Sequence, residues 1–282
     1  MGNIRSHKIR MVALDLDGTT LRSDGSLSEY NYEALMRAHE AGIHIVAASG
    51  RPYAALPKEL LDMPFLEYAV SSNGAGVYDV KRQKAVCVFY MEKEAVRKIS
   101  QIVRDAGAAL EGFIDGVPYS PKECVENAEA YGAAANGAAY IRATRRPVED
   151  IYEFIKENEE SVDCIDMVVH DGPQKEHIWK EISEKVEHVY VTSSISYFIE
   201  VTDERAGKAS GVKVLADKLG IRQEEIAAFG NAENDMDMLR WAGIGVAVAN
   251  SPEHVCQAAD EVTESNEEDG VGRWIYRYLG DK

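Results

Sequence analysis

Ile9-Arg10-Met11-Val12-Ala13-Leu14-Asp15-Leu16-Asp17-Gly18-Thr19-Thr20 is the stretch that decides the reading of this chain. An apolar run of strand type ends abruptly in two aspartates one residue apart, followed by a glycine and two hydroxyl side chains. Such a run suits a strand buried on both faces of a parallel sheet. Open α/β sheets bind ligands beyond the carboxyl ends of their strands, which is where Asp15 and Asp17 fall. Acids at i and i+2 of an extended segment point to the same side, so a turn there can set both beside one metal ion and one phosphate. An isolated Asp-Gly is an ordinary turn. Two carboxylates closing an apolar strand are costly unless a cation joins them, and that cost marks a site.

The pattern recurs along the first part of the chain. Residues 27–41 are predicted helical, with Ser28 as cap, Glu29 and Glu33 near the start and Gly42 at the end. Residues 43–48 read as a second strand ending in Ser49-Gly50-Arg51-Pro52, and 53–61 as a helix. Residues 68–71 read as a third strand, ending in Ser72-Asn73-Gly74-Ala75-Gly76. Strand–helix–strand spacing of this kind implies a parallel sheet with right-handed crossovers. The polar loops then share one sheet edge.

Near residue 80 the rhythm changes. Residues 78–88 suggest a hairpin, 93–106 an amphipathic helix, and 108–119 strands about an Asp115-Gly116 turn. Helices are expected at 148–158 and 174–186, a strand at 164–170, and two short strands within 188–201. This is an α+β pattern, expected as an insert over 84–198 within a core formed by 1–83 and 199–282. The α/β rhythm then returns, with helices at 208–219, 236–242, 252–258 and 271–279 and strands at 226–229 and 244–248.

Composition fits a globular protein, with 45% hydrophobic and 28% charged residues in a chain of 282. Lys plus Arg number 31 against 48 Asp plus Glu, a formal charge of −17. That balance argues against a nucleic-acid or membrane-surface binder, yet permits an anionic substrate where a metal and a few placed cations reverse the local field. Cys87, Cys124, Cys164 and Cys256 form no CxxC pair, which disfavours a zinc or redox motif and fits a cytoplasmic chain. No apolar stretch is long enough to span a membrane. Gly2 and Ser6 match the loose N-myristoylation pattern, which the sequence supports weakly. The oligomeric state stays open, a homo-oligomer included.

Three further motifs carry chemistry. Ser49-Gly50-Arg51 can hold a phosphoryl oxygen with a hydroxyl and backbone amides. Lys208 opens a helix, where the dipole disfavours a cation unless it faces an anion. Gly230-Asn231-Ala232-Glu233-Asn234-Asp235 follows an apolar strand and offers oxygen donors of the kind Mg2+ prefers.

Taken in order, these pieces resemble the haloacid dehalogenase superfamily, and more closely its Cof-type (subfamily IIB) phosphatases. Asp15 to Thr20, Ser49-Gly50-Arg51, Lys208, and Gly230 to Asp235 with Met238 match its four motifs. Asn73-Gly74-Ala75 and Asn266 to Val271 resemble segments common in that branch. The resemblance implies a Rossmann-like parallel-sheet core, an inserted α+β cap that sets specificity, and a Mg2+-dependent phosphatase. Asp15 would be the nucleophile, forming an aspartyl-phosphate. Asp17 would be general acid and then base, kept protonated by its like-charged neighbour and partial burial. Ser49, Gly50, Arg51, Asn73, Lys208 and Asn234 would hold phosphate or substrate. Asp15, Asp17 through its carbonyl, Asn231 and Asp235 would surround the metal. Asn231 stands where the family usually has an aspartate, and the surroundings of Lys208 are looser than the family pattern. A small phosphorylated substrate is implied, a sugar phosphate or related metabolite. A phosphosugar mutase and a non-catalytic phosphometabolite sensor are the rival readings. Cap residues Tyr119, Arg142, Arg145, Arg146, His170 and His177 are contact candidates by location alone.

Overall fold

The computed structural model describes residues 8–130 and 135–280. The Gly2/Ser6 motif lies outside the described residues. Met11–Leu14 (β1) is buried on both faces, as its unbroken apolar run requires. It lies inside an eight-stranded sheet ordered β14 (Glu261–Thr263), β13 (Ile244–Val248), β12 (Ile226–Gly230), β1, β2 (His44–Ala48), β3 (Leu66–Ser71), β4 (Gly76–Asp79) and β5 (Lys84–Val88). The strands from β14 to β3 run parallel, and β4 and β5 add an antiparallel edge.

Side-chain alternation gives the sheet two cores. Val12, Leu14, Ile45 and Phe229 pack on one face beneath Glu29–Glu40 and Gly270–Leu279. Met11, Ala13, Val46 and Ala228 pack on the other beneath Lys208–Leu219. Ser28 caps its helix, its hydroxyl accepting from the Asn31 N–H at 3.0 Å, and Gly220 closes Lys208–Leu219 in the left-handed conformation.

The helix expected at 53–61 is broken. Tyr53–Ala55 is a single 3₁₀ turn, and Lys58–Leu61 a separate short helix. Pro57 is the cause: it forces Leu56 into an extended conformation, with φ −67° and ψ 141°. The sequence also gave no sign of two short edge strands, Arg146–Val148 (β8) and β14, which owe their form to pairing.

A second sheet has six strands in the order β10 (Val189–Thr192), β11 (Phe198–Asp203), β9 (Val162–Val168), β6 (Ala109–Ile114), β7 (Val117–Pro121) and β8. Its outer face packs on Lys93–Ala106, Ile151–Glu157 and Gly172–Lys185 through residues such as Ile99, Leu110, Ile165 and Ile182. Sheet membership moves both expected crossing points. β5 pairs with β4 in the first sheet, and β11 is an inner strand of the second. The chain therefore leaves the first sheet after Val88 and the second after Asp203, later than residues 84 and 198. Hairpin pairing decides the first shift and pairing with β9 the second.

The two sheets meet at the Asp115-Gly116 turn, where the Ala54 N–H donates to the Gly116 carbonyl at 3.1 Å. Asp163 on β9 sits beneath that turn, 1% exposed, and accepts from the Gly116 N–H at 2.5 Å. Burial pushes its carboxyl from an ordinary 3.8 up to about 7. A carboxyl raised on folding binds more protons in the folded state, so its contribution to stability declines as pH rises from about 4 to about 7. The full span corresponds to at most about 4 kcal/mol. Asp163→Asn keeps an acceptor for Gly116 and removes the charge. Its melting temperature should converge on the native value toward pH 3.8 and exceed it at pH 8. Parallel melting curves against pH would show the reverse of this account.

Candidate active site

The edge formed by the carboxyl ends of β1, β2, β3 and β12 gathers the polar loops. Asp15 follows β1 directly and is 5% exposed. Its N–H donates to the Phe229 carbonyl at 3.0 Å, which fixes it in register with β12. Thr20 Oγ1 donates to the Asp15 carbonyl at 2.6 Å, and Thr19 Oγ1 to Asp15 Oδ2 at 2.7 Å. The two hydroxyls of the opening motif thus hold the main chain and the carboxylate of the same residue. Gly18 has φ +77°, and a Cβ there would lie 2.7 Å from the Asn231 side chain. Glycine therefore permits both the turn and the approach of the late loop.

Lys208 reaches the other side of Asp15. Its side chain is wholly buried, with Nζ 2.7 Å from Asp15 Oδ1 and 2.6 Å from Asp235 Oδ1. Burial alone would lower the ammonium, but the two carboxylates outweigh it and hold it above its ordinary value. The cation at a helix start thus faces two anions, and Asp237 Oδ2 accepts from the next helical amide, Ala209 N–H, at 3.0 Å. Burial is also the largest influence on Asp15 and pushes it up to about 7, reinforced by Asp235 and opposed by Lys208.

Asp235, expected at the metal, meets protein donors with both oxygens. Oδ1 is on Lys208, and Oδ2 accepts from the Asn231 and Ala232 N–H groups at 2.8 and 2.9 Å. It braces the loop and the lysine. Asn231 itself reaches the Asp15 side. One amide orientation lets its nitrogen donate to Asp15 Oδ2 and to the Asp17 carbonyl, each at 3.1 Å. The other puts its oxygen in that place, so that three oxygens converge.

That donor set fits Mg2+. It combines a carboxylate, a backbone carbonyl and an amide oxygen, all hard ligands. Ligands about 2.1 Å from an octahedral Mg2+ lie about 3 Å apart along an edge, which matches the 3.1 Å separations. Among the described residues no three His, Cys, Asp or Glu side chains cluster as a metal site, so one side-chain carboxylate, Asp15, would serve it directly.

Asp17 differs from expectation. Its side chain is 52% exposed rather than partly buried. Both oxygens accept from Arg51, Nε to Oδ2 at 2.7 Å and an Nη to Oδ1 at 2.6 Å. The expected like-charged neighbour Asp15 is joined by a bidentate cation partner. Arg51 also stacks on Tyr140 of the cap, 4.6 Å from the ring centroid.

Ser49, 1% exposed at the end of β2, accepts from the Arg51 N–H at 3.1 Å, and Gly50 lies beside Asn73 and Asn234. Asn73 joins three regions. Its Oδ1 accepts from Asn234 at 2.9 Å, its Nδ2 donates to Glu200 of the cap at 3.1 Å, and its carbonyl accepts from the Gly207 N–H at 2.9 Å. Gly74, at φ +96°, allows that approach, since a Cβ would lie 1.9 Å from the Gly207 oxygen.

These residues open into a cavity of about 460 Å³ between core and cap, lined by Asp15, Asp17, Ser49, Arg51, Asn231 and Asn234 on the core side. Two of the six cap candidates, Arg145 and His170, line it. The others do not: Arg142 pairs with Glu129, Arg146 lies over Tyr119, and His177 is exposed beside Glu181. Sequence reading missed Tyr140, Glu111, Asp166 and Glu200 on the cap side. The available signal was an acid within three apolar cap strands, β6, β9 and β11.

Residues 12–275 match the family model of haloacid dehalogenase-like hydrolases. The chain belongs to this family. It is 28% identical to the 5-amino-6-(5-phospho-D-ribitylamino)uracil phosphatase YitU of Bacillus subtilis, over 95% of this chain and 97% of that protein. It is 28% identical to the phosphatase YwpJ of the same organism, over 96% of this chain and the whole of that protein. A solved haloacid dehalogenase-like hydrolase from B. subtilis superposes with a TM-score of 0.83 at 26% identity, covering 95% of this chain and 99% of that one. The Rossmann-like core with its α+β cap is the architecture of these hydrolases, and the chain is an enzyme of the phosphatase type. Among the described residues no helix is long and apolar enough to cross a membrane, and all four cysteines are free thiols.

Proposed function

We propose that the chain is a Mg2+-dependent phosphomonoesterase that works through an aspartyl-phosphate on Asp15, acts on small phosphorylated metabolites and resides in the cytoplasm. The observation that carries this reading is the setting of Asp15. It ends a buried strand with Lys208 against one oxygen and the Asp17 carbonyl and Asn231 amide beside the other. Mg2+ bound there would offset the repulsion between carboxylate and phosphate and stabilise charge on the transferring group.

In the first half-reaction Asp15 attacks phosphorus, the bond from phosphorus to the ester oxygen breaks, and the leaving alcohol takes a proton from Asp17. In the second, a water attacks phosphorus and gives a proton to Asp17, the bond to Asp15 breaks and phosphate leaves. Ser49 and the amides of its loop hold phosphoryl oxygens, Lys208 neutralises charge, and Asn73 and Asn234 hold the loops in place. Asp17 can serve only when its pair with Arg51 opens, because both its oxygens accept from that guanidinium. Arg51 rests on cap residue Tyr140, so cap position and acid are mechanically linked, as a closing cap requires.

Phosphate release from a panel of phosphomonoesters, with and without Mg2+, tests the reading. Turnover that chelation abolishes and Mg2+ restores is expected. Binding without turnover would instead make the chain a sensor, and transfer to a second sugar hydroxyl a mutase. Asn231 gives a separate check. Asn231→Asp adds a negative charge to the donor set, so Mg2+ should bind about tenfold tighter, read by calorimetry as well as by the Mg2+ dependence of the rate. Equal or weaker affinity would remove Asn231 from the metal shell.

A further inference from the structure

The cap sheet turns a charged face toward the cavity. Alternation sends Leu110, Ile165 and Ile199 to the helices behind the sheet and Glu111, Asp166 and Glu200 to the opposite side. Register aligns the acids. Glu111 on β6 lies opposite Asp166 on β9, and Asp166 lies opposite Glu200 on β11. The row crosses two interstrand gaps, roughly 10 Å. Its members are 6%, 3% and 2% exposed, and all three line the cavity that holds Asp15 and Asp17.

Protein partners account for the two ends of the row. Glu111 pairs with Arg145, Oε2 lying 3.0 Å from the guanidinium. Glu200 accepts from Asn73 Nδ2 and the Ser194 N–H. Asp166 in the middle accepts only from the Cys164 thiol, on Oδ1 at 3.2 Å, and its Oδ2 meets no hydrogen-bond donor among the described residues. Burial, then Glu200 and Glu111, push its carboxyl well above the ordinary range. Asp166 is thus the acid of the row with an oxygen turned to the cavity rather than to a protein donor, where a ligand group can reach it.

We propose that this row of acids reads the hydrogen-bonding groups on the leaving-group end of the substrate, with the phosphate at Asp15, a run of hydroxyl or amino groups along Glu111, Asp166 and Glu200, and Asp166 setting the preference. The inference rests on the phosphatase reading and names its substrate class, a phosphomonoester of a polyhydroxylated or amino-bearing alcohol. Esters whose leaving group lacks donors leave Asp166 unsatisfied, and sites built to bond a donor reject analogues that lack it.

The test compares kcat/KM for glucitol 6-phosphate, glucosamine 6-phosphate and 4-nitrophenyl phosphate in the full chain with Mg2+, for the native protein, Asp166→Leu and Asp166→Asn. The ratio between the donor-bearing esters and the aryl ester is read, rather than any single rate. It should fall at least tenfold in Asp166→Leu, chiefly through KM, and less in Asp166→Asn, which keeps a carbonyl acceptor in the same volume. A larger loss for the amino ester than for the polyol in Asp166→Asn identifies an ammonium, and equal losses identify hydroxyls. An unchanged ratio in Asp166→Leu overturns the inference while the phosphatase reading stands. Should Asp166→Leu fail to fold, a native ratio in Asp166→Asn overturns it. No turnover of any ester by the native chain overturns the phosphatase reading and this inference with it.

Discussion

Asp15→Asn should abolish phosphate release, by on the order of 10⁴-fold, without lowering the melting temperature. The first half follows from chemistry. An amide cannot attack phosphorus to form the acyl phosphate, so the covalent route closes. The second half follows from charge. Asp15, Lys208 and Asp235 form a buried cluster of two carboxylates and one ammonium. Asparagine leaves Lys208 paired with Asp235 alone, a balanced pair, and can still accept from Thr19 Oγ1 as Asp15 does at 2.7 Å. Loss of activity with intact folding separates the nucleophile from a structural carboxylate. Turnover within tenfold of the native rate would remove Asp15 from that role, and a large drop in melting temperature would mean that the cluster depends on Asp15 for its stability.

The contrast between Asp15 and Asp166 shows what a sequence can and cannot disclose. Asp15, Asp17, Thr19 and Thr20 are adjacent, so the apolar strand before them and the glycine among them convey their setting directly. Lys208 was legible through a local anomaly, a cation at a helix start, although the sequence did not reveal which anions it meets. The sequence places Asp235 in the loop but not its partners, because spacing alone cannot say that its oxygens turn to Lys208 and to loop amides. Asp17 was read as partly buried because its partner Arg51 comes from the end of another strand. The cap row was legible only as single acids in apolar strands, for the same reason in stronger form. Glu111, Asp166 and Glu200 come from three separate strands, and only the register of β6, β9 and β11 aligns them. Pro57 is legible as a break, since a proline within a short apolar pattern interrupts a helix.

Lys208→Met should lose both activity and stability, unlike Asp15→Asn. The ammonium is wholly buried and touches two carboxylates at 2.7 and 2.6 Å. Removing one partner of a buried ion pair costs about 3–5 kcal/mol, because the remaining charges lose their compensation. Here two carboxylates would face each other across an apolar side chain. For a chain of this size the loss corresponds to roughly 10 °C in melting temperature. Part of it should return at acidic pH, where Asp15 can be protonated, and part in Lys208→Met/Asp235→Asn, which removes one of the stranded charges. Activity should return in neither case, since the transferring phosphoryl group still lacks its cation. Melting curves for the single and double variants, each paired with phosphate release, separate the two roles. A single variant as stable as the native protein would show that Asp15 and Asp235 do not need Lys208 to coexist. Recovery of turnover in the double variant would show that the lysine serves the fold alone.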